Sequence, residues 1–471
     1  MKSVESIKEY TKTVYQLFWS KGITDAMDML VLVMDALYMR RKSDFDISSF
    51  DKYEKCEWGN LMLLDKQSFQ DTYIEYIIPF LMDQKSIDLA CMDYHASSSN
   101  VREFTAHYEL FHLTDDLLED LRKDHNECIL YGVVVEVVMD SLGILKRLPL
   151  ILKDHIAKLM SLLLDVNIYD TLFVPNCGIG NLIIQANNQV LALELPDDEK
   201  RKDEDGFDTL GRNVERYSFI AKNHLFHSFA TEKNRDLTYI CAMNLYLHGI
   251  ELNGSLANGD YWSPTFVNQH KGKFSKILSL LMERDTTNRI MAVESIVEML
   301  KPKGKAAIIV PESFLFSRES KMRELRKMLL SNNYLEAVVS LPNGIVSSSK
   351  VKTSLLILSK GRMVKNDTVW FCELLSDGYV NYSKHLRNES YPLPHLVENF
   401  KNKITEKENF MNSRNVQVSE ILKNDGMLAI NYYREYEPIP PIVDNPLVVL
   451  KDLMVLESKI KTGLDDLYKI L

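Results

Sequence analysis

The sequence is poor in cysteine and has no long apolar run, and both features limit what the chain can be. It has six cysteines among 471 residues, and no two of them form a C-x-x-C pair. We therefore expect neither a disulfide framework nor a bound metal, and we infer a reducing compartment. No stretch approaches the ~18 consecutive apolar residues of a membrane-spanning helix, so we expect no association with a membrane.

A targeting signal is also missing from the N-terminal segment. The stretch MKSVESIKEYTKTVYQLFWSKG is charged and amphipathic, without the apolar core and small-residue cleavage site of a secretory signal. We therefore expect a cytoplasmic protein. The chain length predicts two or three domains, and the proportions of 46% hydrophobic and 26% charged residues are typical of globular proteins.

The distribution of charge is more informative than its total. A formal net charge of -10 is unfavourable for a nucleic-acid partner. Residues 271–360, however, contain 16 Lys and Arg against 8 Asp and Glu, so this region carries an excess of positive charge. The excess permits contact with a polyanion, but a solvated, mixed-charge helix surface explains the segment SRESKMRELRKML equally well.

Patterns along the chain indicate three regions. Residues 1–140 have apolar residues at helical spacing, as in ITDAMDMLVLVMDALYMRR, and predict a helical domain. Residues 141–375 alternate helical stretches with short β-rich runs, namely YDTLFVP, FSKILSLL, KAAIIVP, EAVVSLP, TSLLILS and TVWFCEL. This alternation predicts an α/β fold, with a doubly wound sheet covered by helices on both faces. Residues 376–471 combine polar stretches and the proline-rich loop YEPIPPIVDNP with a closing amphipathic helix that could bind a partner.

The stretch LFVPNCGIGN, residues 172–181, is typical of a strand that enters a glycine turn at the start of a helix. Gly178 and Gly180 lack a Cβ atom where the backbone has to bend and approach a ligand. The helix beginning NLIIQAN would offer its N-terminal amides, and such turns bind cofactors in doubly wound sheets. A G-x-G pair alone fits a merely structural turn equally well.

The segments after the glycine turn decide between these interpretations. They read FATEKNRDLTYICAMNLYLHGIELNGSLANGDYW, LKPKGKAAIIVPESFLF and LEAVVSLPNGIVSSSKVKTSLLILSKG. With them, the sequence resembles the modification subunits of type I restriction-modification systems, which are gamma-type adenine-N(6) DNA methyltransferases. The resemblance is strongest over residues 229–361. It implies an N-terminal helical domain, a Rossmann-like class I methyltransferase sheet and a C-terminal helical tail that contacts a specificity subunit.

The resemblance also assigns residues that bind the cofactor S-adenosylmethionine. Glu232 matches the acidic residue that binds the ribose hydroxyls, and a carboxylate suits that role because it accepts two hydrogen bonds. Asp260, in NGDYW, matches the acidic residue that approaches the adenine amino group. The glycine motif adds the turn residues Pro175, Cys177, Gly178 and Gly180.

Three segments depart from the family where its chemistry should be. The leading acid of Asp-Pro-Ala-Cys-Gly-Thr-Gly, which is expected to hold the cofactor's amino group, is Val174 here. The Phe-x-Thr-Pro segment, which contacts the methionine part, is replaced by residues 150–153, LILK. The Asn-Pro-Pro-Phe/Tyr motif after the strand FSKILS is replaced by residues 280–283, LLME.

The last of these changes affects methyl transfer directly. The exocyclic amine of adenine is a poor nucleophile, and in the family an amide and a proline carbonyl accept its hydrogens while an aromatic ring stacks on the flipped base. Leucine and methionine side chains accept no hydrogen bonds, so the amine would stay unpaired at a cost of roughly 1–3 kcal/mol. The nearest substitute, SPTF at residues 263–266, precedes the strand, and we expect it to be a loop.

The helix NRIMAVESIVEML nevertheless retains an apolar face ahead of a buried strand, so the apolar spacing expected of core residues is intact there. We therefore predict a catalytically inactive, DNA methyltransferase-like subunit of a restriction-modification or related phage-defence complex. It would bind double-stranded DNA and a specificity subunit or second methyltransferase subunit. The predicted phosphate contacts are Lys321, Arg323, Arg326, Lys327, Lys350 and Lys352.

Two alternative functions stay open. One is an active adenine-N(6) DNA methyltransferase with a divergent motif, whose site a partner subunit completes. The other is a sensor that uses Glu232 and Asp260 to bind S-adenosylmethionine or a related nucleotide without transferring a group. The sequence therefore does not decide whether S-adenosylmethionine binds.

Overall fold

The structure describes most of the chain and divides it into two compact units. The computed structural model describes residues 2–46, 50, 52–83, 105–122, 127–144, 148, 150–195, 200–203, 206–209, 227–250, 255–347, 349–361, 367–381, 386–387, 392–407, 410–433 and 446–470. The two units are Met1–Ile430 and Asn431–Leu471. The proline-rich loop predicted at residues 436–446 lies outside the described residues except for its last position.

Helices make up the first part of the first unit. They are α1 (Lys2–Ser20), α2 (Ala26–Phe45), α3 (Trp58–Met62), α4 (Lys66–Thr72), α5 (Ile78–Asp83), α6 (Thr105–Leu121) and α7 (Glu127–Ser141). Helix α2 begins after Asp25, whose carboxylate accepts hydrogen bonds from the backbone of Met27 and Asp28. Most residues of α2 are buried because this helix packs against α3, α6 and α7.

Strands and helices alternate in the second part of this unit. The strands are β1 (Thr171–Pro175), β2 (Arg201–Lys202), β3 (Asp208–Thr209), β4 (His227–Glu232), β5 (Leu256–Asn258), β6 (Phe274–Leu280), β7 (Leu300–Pro311), β8 (Leu335–Ser340), β9 (Thr353–Ser359), β10 (Thr368–Leu374), β11 (Tyr379–Asn381), β12 (Leu386–Arg387), β13 (Glu406–Lys407) and β14 (Met411–Gln417). The helices are α8 (Asp154–Leu164), α9 (Asn181–Leu193), α10 (Arg235–Leu247), α11 (Pro264–His270), α12 (Thr286–Met299), α13 (Ser313–Phe316), α14 (Ser320–Ser331), α15 (Pro392–Asn402) and α16 (Val418–Lys423). The second unit contains α17 (Pro446–Ile470).

The largest sheet in the described part of the chain has ten strands. Its order is β13-β14-β10-β8-β9-β7-β6-β1-β4-β5. Strand β1 pairs in parallel with both β4 and β6, so the chain order reverses at β1. Doubly wound sheets bind ligands at such a reversal, beyond the carboxyl ends of the strands. Strand β9 runs antiparallel between β7 and β8, which the alternation in the sequence does not reveal.

The predicted α/β fold class is confirmed, with one local correction. All six β-rich runs form strands of the main sheet. The SPTF segment is not the loop that we expected: Ser263 caps α11 by accepting the backbone N–H of Phe266, and Pro264 occupies the first position of the helix. None of the described helices is long and apolar enough to span a membrane.

Helix α10 connects two apolar cores. One core fills the helical region and includes Tyr239, Ile240 and Met243 of α10, while the other lies around the sheet and includes Cys241 and Leu245. The Tyr239 hydroxyl also donates a hydrogen bond of 2.7 Å to the buried carboxylate of Asp35 on α2. Because successive faces of α10 enter different cores, its position is fixed from both sides.

The segment before α8 is attached to loops that follow β8 and β10. Leu152 forms an antiparallel bridge with Val346. The Asp377 carboxylate accepts a hydrogen bond of 3.1 Å from Lys153 Nζ and lies 3.0 Å from His155 Nε2. Burial alone would raise the pKa of Asp377, but the hydrogen bond with His155 and the charge of Lys153 lower it to about 2. Asp377 therefore holds this segment as an ionised, buried partner.

Candidate functional site

The glycine turn connects β1 to α9 at the reversal point of the sheet. Positive φ angles of 58° at Gly178 and 88° at Gly180 bend the chain sharply, and Gly180 directly precedes α9. Pro175 ends β1, and the backbone N–H of Cys177 donates a hydrogen bond of 2.9 Å to the carbonyl of Thr231 on β4. The turn thus presents the N-terminus of α9 beside the end of β4, as the sequence predicts.

Glu232 holds this turn through its side chain. It ends β4 and is only 7% exposed. Its carboxylate accepts hydrogen bonds of 2.9 Å from the backbone N–H groups of Gly178, Lys233 and Asn234. These three donors stabilise the buried charge, and they bring the first two predicted cofactor-binding elements together.

Asp260 lies next to Glu232 because backbone contacts join the ends of β4 and β5. The carbonyl of Glu232 accepts hydrogen bonds of 3.0 Å from the Gly259 N–H and from Asn258 Nδ2. Lys233 Nζ lies 3.3 Å from Asp260 Oδ2. The other carboxylate oxygen, Oδ1, is buried and has no hydrogen-bond partner among the described residues. A buried acceptor without a donor is a place where a ligand donor would be favourable.

Helix α10 supports the turn from behind. Asn244 Nδ2 donates a hydrogen bond of 2.8 Å to the Ile179 carbonyl. The sulfur atoms of Cys177 and Cys241 are 3.5 Å apart. This contact and burial hold the pKa of Cys177 well above its ordinary value, so the thiol stays protonated. The sequence indicates AMNLYLHGI only as a motif of the resembling family, and the structure shows that its asparagine positions the glycine turn.

The two departures nearest the turn, Val174 and residues 150–153, lie at β1 and beside the start of α9. The Val174 side chain is fully buried and belongs to the apolar core around the sheet. The carbonyl of Leu152 accepts a hydrogen bond of 2.7 Å from Asn181 Nδ2, so residues 150–153 lie beside the start of α9. The segment 150–153 and Val174 therefore both lie near the glycine turn, and neither the acid nor the threonine of the resembling family's motifs is present in them.

The segment after β6 is also apolar at its start. Leu281 is fully buried, and its backbone N–H donates a hydrogen bond of 2.8 Å to the Ile309 carbonyl on β7. Burial raises the pKa of the nearby Tyr261 hydroxyl, and the charge of Glu283 adds to this effect. The SPTF segment begins α11, so it does not supply a displaced asparagine-type motif after this strand.

These residues fit one half of S-adenosylmethionine and not the other. Glu232 and the unpartnered oxygen of Asp260 are acceptors suited to hydroxyl and amino groups. Val174 offers no acceptor to the ammonium group of the methionine part. As for metals, the described ranges contain no group of three or more His, Cys, Asp or Glu residues that could hold an ion.

The structure corrects one of the predicted phosphate contacts. The Arg326 side chain is fully buried, and its guanidinium donates hydrogen bonds of 2.8–2.9 Å to the carbonyls of Phe314, Ser317 and Gly426. This arginine therefore ties α14 to the segments around α13 and after α16, and no phosphate can reach it.

The other predicted contacts differ in their surroundings. Lys321 and Lys350 are exposed, whereas Arg323 and Lys327 both pair with Asp425, at 2.9 Å and 2.6 Å, and Lys352 pairs with Glu312 at 3.1 Å.

Comparison with known proteins identifies relatives of this chain. Residues 258–440 match the N-6 DNA Methylase family. Over 240 residues the chain is 27% identical to the methylase subunit of the type I restriction enzyme EcoEI from Escherichia coli, a match that covers 47% of this chain and 44% of that protein. Over 244 residues it is 25% identical to the methylase subunit of the type I restriction enzyme MpnII from Mycoplasma pneumoniae. This match covers 45% of this chain and 44% of that protein. The matched region thus spans less than half the length of these relatives.

Solved structures show the same fold over nearly the whole chain. The methyltransferase subunit of the type I restriction-modification system from Streptococcus thermophilus has a TM-score of 0.65 at 15% identity, covering 91% of this chain and 99% of that chain. A chain from a structure of the type I R-M system has a TM-score of 0.62 at 16% identity, covering 98% of both chains. The resemblance that the sequence motifs indicate is confirmed.

We expect the two glycines of the turn to respond differently to alanine. A Cβ at Gly180 would lie 3.1 Å from Cys241 Sγ and 3.2 Å from Leu245, whereas a Cβ at Gly178 would meet no atom of the described residues within 4 Å. Both positions have a positive φ, so Gly178→Ala should lower the free energy of unfolding by about 1 kcal/mol and Gly180→Ala by roughly 2–3 kcal/mol. Urea unfolding measures the free energy of unfolding of both variants, and an equal decrease in the two would show that α10 does not restrict the turn.

We expect Arg326→Ala to destabilise the protein rather than to weaken DNA binding selectively. The substitution removes the donor from the three carbonyls that Arg326 hydrogen-bonds. The free energy of unfolding should therefore fall by roughly 3 kcal/mol. Lys321→Ala, on the exposed side of the same helix, should change it by less than about 0.5 kcal/mol. An Arg326→Ala protein as stable as the Lys321→Ala protein would contradict this assignment.

Proposed function

We propose that this chain, which is related to the methyltransferase subunits of type I restriction-modification systems, contacts duplex DNA and a partner subunit without transferring a methyl group. The site has the elements of a class I methyltransferase frame: a glycine turn after β1, an acid at the end of β4 and an acid after β5. Support for a non-catalytic role comes from what surrounds that frame.

The segment after β6 carries this proposal. Residues 280–283 stand where the relatives' family has its asparagine, prolines and aromatic residue, and they provide two leucines, a methionine and a glutamate. Leu281 is fully buried and hydrogen-bonded through its backbone to β7, so its side chain is part of the core. An adenine amine at this position would lack the side-chain amide that prepares it for attack, which disfavours transfer.

Organisation and partners form the second part of the proposal. We assign residues 1–140 to a helical domain, 141–375 to the methyltransferase-like domain and 376–471 to a C-terminal segment that ends in a partner-binding helix. Helix α17 supports this assignment because Leu453, Leu456, Ile460 and Leu464 are each more than half exposed. A helix with exposed leucines at three- and four-residue steps gains stability by packing against another helix. The cysteine pattern favours a cytoplasmic complex.

An active methyltransferase is the second candidate function. The observation in its favour is that Glu232 and Asp260 remain adjacent at the carboxyl edge of the sheet, joined by the 3.0 Å hydrogen bonds that link the ends of β4 and β5. In this case a partner subunit would supply the acceptors for the adenine amine.

Methyl transfer to DNA separates the two candidates. The purified chain is incubated with duplex DNA and S-adenosylmethionine labelled in its methyl group, alone and with partner subunits that copurify with it. We expect no incorporation in either arm, because residues 280–283 provide no side-chain amide. Label in the DNA that appears only with the partners, and that Asp260→Ala in this chain abolishes, would establish the second candidate, whereas label that survives this substitution comes from a partner. Label with the chain alone would exclude the non-catalytic proposal outright.

DNA binding is the second measurement. We expect affinity for duplex DNA at low salt that falls steeply as salt rises. Replacing the exposed lysines in Lys321→Ala/Lys350→Ala should reduce the slope of log affinity against log salt by about 2. The exposed lysines of α1 give the matched control, Lys8→Ala/Lys12→Ala, which should leave the slope unchanged. No measurable affinity at low salt would remove DNA from the proposal.

A further inference from the structure

We propose that a cationic surface at the edge of the sheet opposite the glycine turn binds the phosphate backbone of duplex DNA. It consists of Lys271, Lys273, Lys301 and Lys303, which we call the amino-edge patch. The proposal rests on the DNA contact in the proposed function. It adds a binding surface that neither the sequence motifs nor the lysines predicted around α14 include.

Three neighbouring strands bring these lysines to one edge of the sheet. Strands β6 and β7 run in parallel, and Phe274 at the start of β6 lies beside Leu300 at the start of β7. Strand β9 runs antiparallel to β7 and ends at Ser359, which pairs with Lys305. The start of β6, the first residues of β7 and the end of β9 therefore meet at the amino edge, whereas the glycine turn follows the carboxyl end of β1.

The backbone holds the first residues of β7 in a constrained shape. A Cβ at Gly304 would lie 2.9 Å from the Lys301 carbonyl oxygen and 3.1 Å from that of Phe274, so this segment is packed tightly on β6. The Lys303 N–H donates a hydrogen bond of 2.6 Å to the Lys360 carbonyl. Lys303 has a φ of 66°, in the left-handed region that favours glycine. Backbone strain at an exposed lysine points to a role for its charge.

The charges of the amino-edge patch are largely uncompensated. Lys273 and Lys303 are exposed, and neither forms an ion pair or a side-chain hydrogen bond in the part of the chain that the structure describes. The Lys271 side chain is 66% exposed, and its Nζ lies 3.6 Å from Glu298 Oε2. This patch therefore differs from α14, where an acid pairs with both Arg323 and Lys327.

A neighbouring lysine adds to the positive potential of this edge. Lys360 Nζ donates hydrogen bonds of 2.7 Å and 2.9 Å to the carbonyls of Val297 and Leu300 at the end of α12. Burial lowers the pKa of Lys360, the charge of Glu298 opposes this effect, and the charge of Lys271 adds to it. Like charges thus lie close enough to repel one another, and an anion bound at this edge would relieve the repulsion.

The composition of this edge favours a phosphate backbone over a protein partner. The centres of protein interfaces are poor in lysine and rich in aromatic side chains, whereas residues 270–273, 300–304 and 359–361 carry no exposed large apolar side chain. A lysine ammonium group binds phosphate as a point charge. Three adjacent strands span roughly 10 Å. Duplex DNA carries one charge per about 1.7 Å of its axis, which gives about six phosphate charges over that distance.

Salt-dependent DNA binding by the full chain tests the proposal. Lys273→Ala/Lys303→Ala should reduce the slope of log affinity against log salt by about 2, whatever the sequence of the duplex. Lys273→Arg/Lys303→Arg keeps both charges and should keep the slope, as should the control Lys8→Ala/Lys12→Ala on α1. Urea unfolding should show that all these variants are as stable as the unsubstituted chain, because the replaced side chains are exposed. An unchanged slope in Lys273→Ala/Lys303→Ala would overturn the proposal.

Acetylation of lysines locates the surface without any substitution. The full chain is treated with acetic anhydride in the presence and absence of duplex DNA, and the modified lysines are identified by mass spectrometry. We expect the duplex to prevent most of the modification of Lys273 and Lys303 and to leave that of Lys8 and Lys12 unchanged. Equal modification with and without DNA would contradict the proposal. Protection by copurifying partner subunits and not by DNA would assign the patch to a protein partner and would also overturn it.

Failure of this proposal is distinguishable from failure of the proposed function. DNA binding that Lys321→Ala/Lys350→Ala weakens and Lys273→Ala/Lys303→Ala does not would contradict only the amino-edge patch. A chain without measurable affinity for duplex DNA at low salt would contradict the DNA contact itself, and with it both proposals.

Discussion

The Glu232 carboxylate is the interaction on which the site depends. Through its side chain it accepts N–H groups from Gly178 in the turn after β1 and from Lys233 and Asn234 at the start of the next segment. Through its carbonyl it accepts the N–H of Gly259, which follows β5. One residue thus fixes three strand ends against each other. Its charge is compensated by protein donors, so the frame keeps its shape independently of any ligand.

Because protein groups support the frame, its backbone arrangement can persist when the residues that serve methyl transfer in the family are absent. Val174 and Leu281 are fully buried at positions where the family has groups that serve the cofactor or the adenine amine. Burying such an apolar side chain stabilises a fold by roughly 1.5–3 kcal/mol. Functional polar groups commonly reduce stability, so apolar residues at these positions would improve packing without a loss of function in a chain that transfers no methyl group, as we propose. The Asn244 contact with the turn does not involve either position and is unaffected by these changes.

The sequence predicts the sheet well because its signal is local. Strands β8 and β9 each have a run of apolar residues at their centre, AVV and LLIL, and both strands are buried throughout. The start of α11 also has a local signal, since Ser263 and Pro264 are a standard cap and first helical residue. The contacts of Glu232 with Gly178 and of Asn244 with Ile179 could not be predicted, because these backbone groups are 54 and 65 residues away and only the tertiary fold brings them near.

The electrostatics of the basic region also depend on contacts that only the tertiary fold creates. Counting charges over residues 271–360 gives a positive excess, but the count includes Arg326, whose guanidinium is buried. It also omits Asp425, which lies about 100 residues away in the sequence, pairs with both Arg323 and Lys327 and offsets one of their two charges. The exposed charge on α14 is therefore smaller than the sequence indicates. Since each phosphate contact adds a modest, salt-sensitive increment of affinity, a surface with few exposed cations gives weak binding by itself. If the chain contacts DNA as we propose, its own affinity at low salt is therefore modest and depends on exposed lysines such as Lys321 and Lys350.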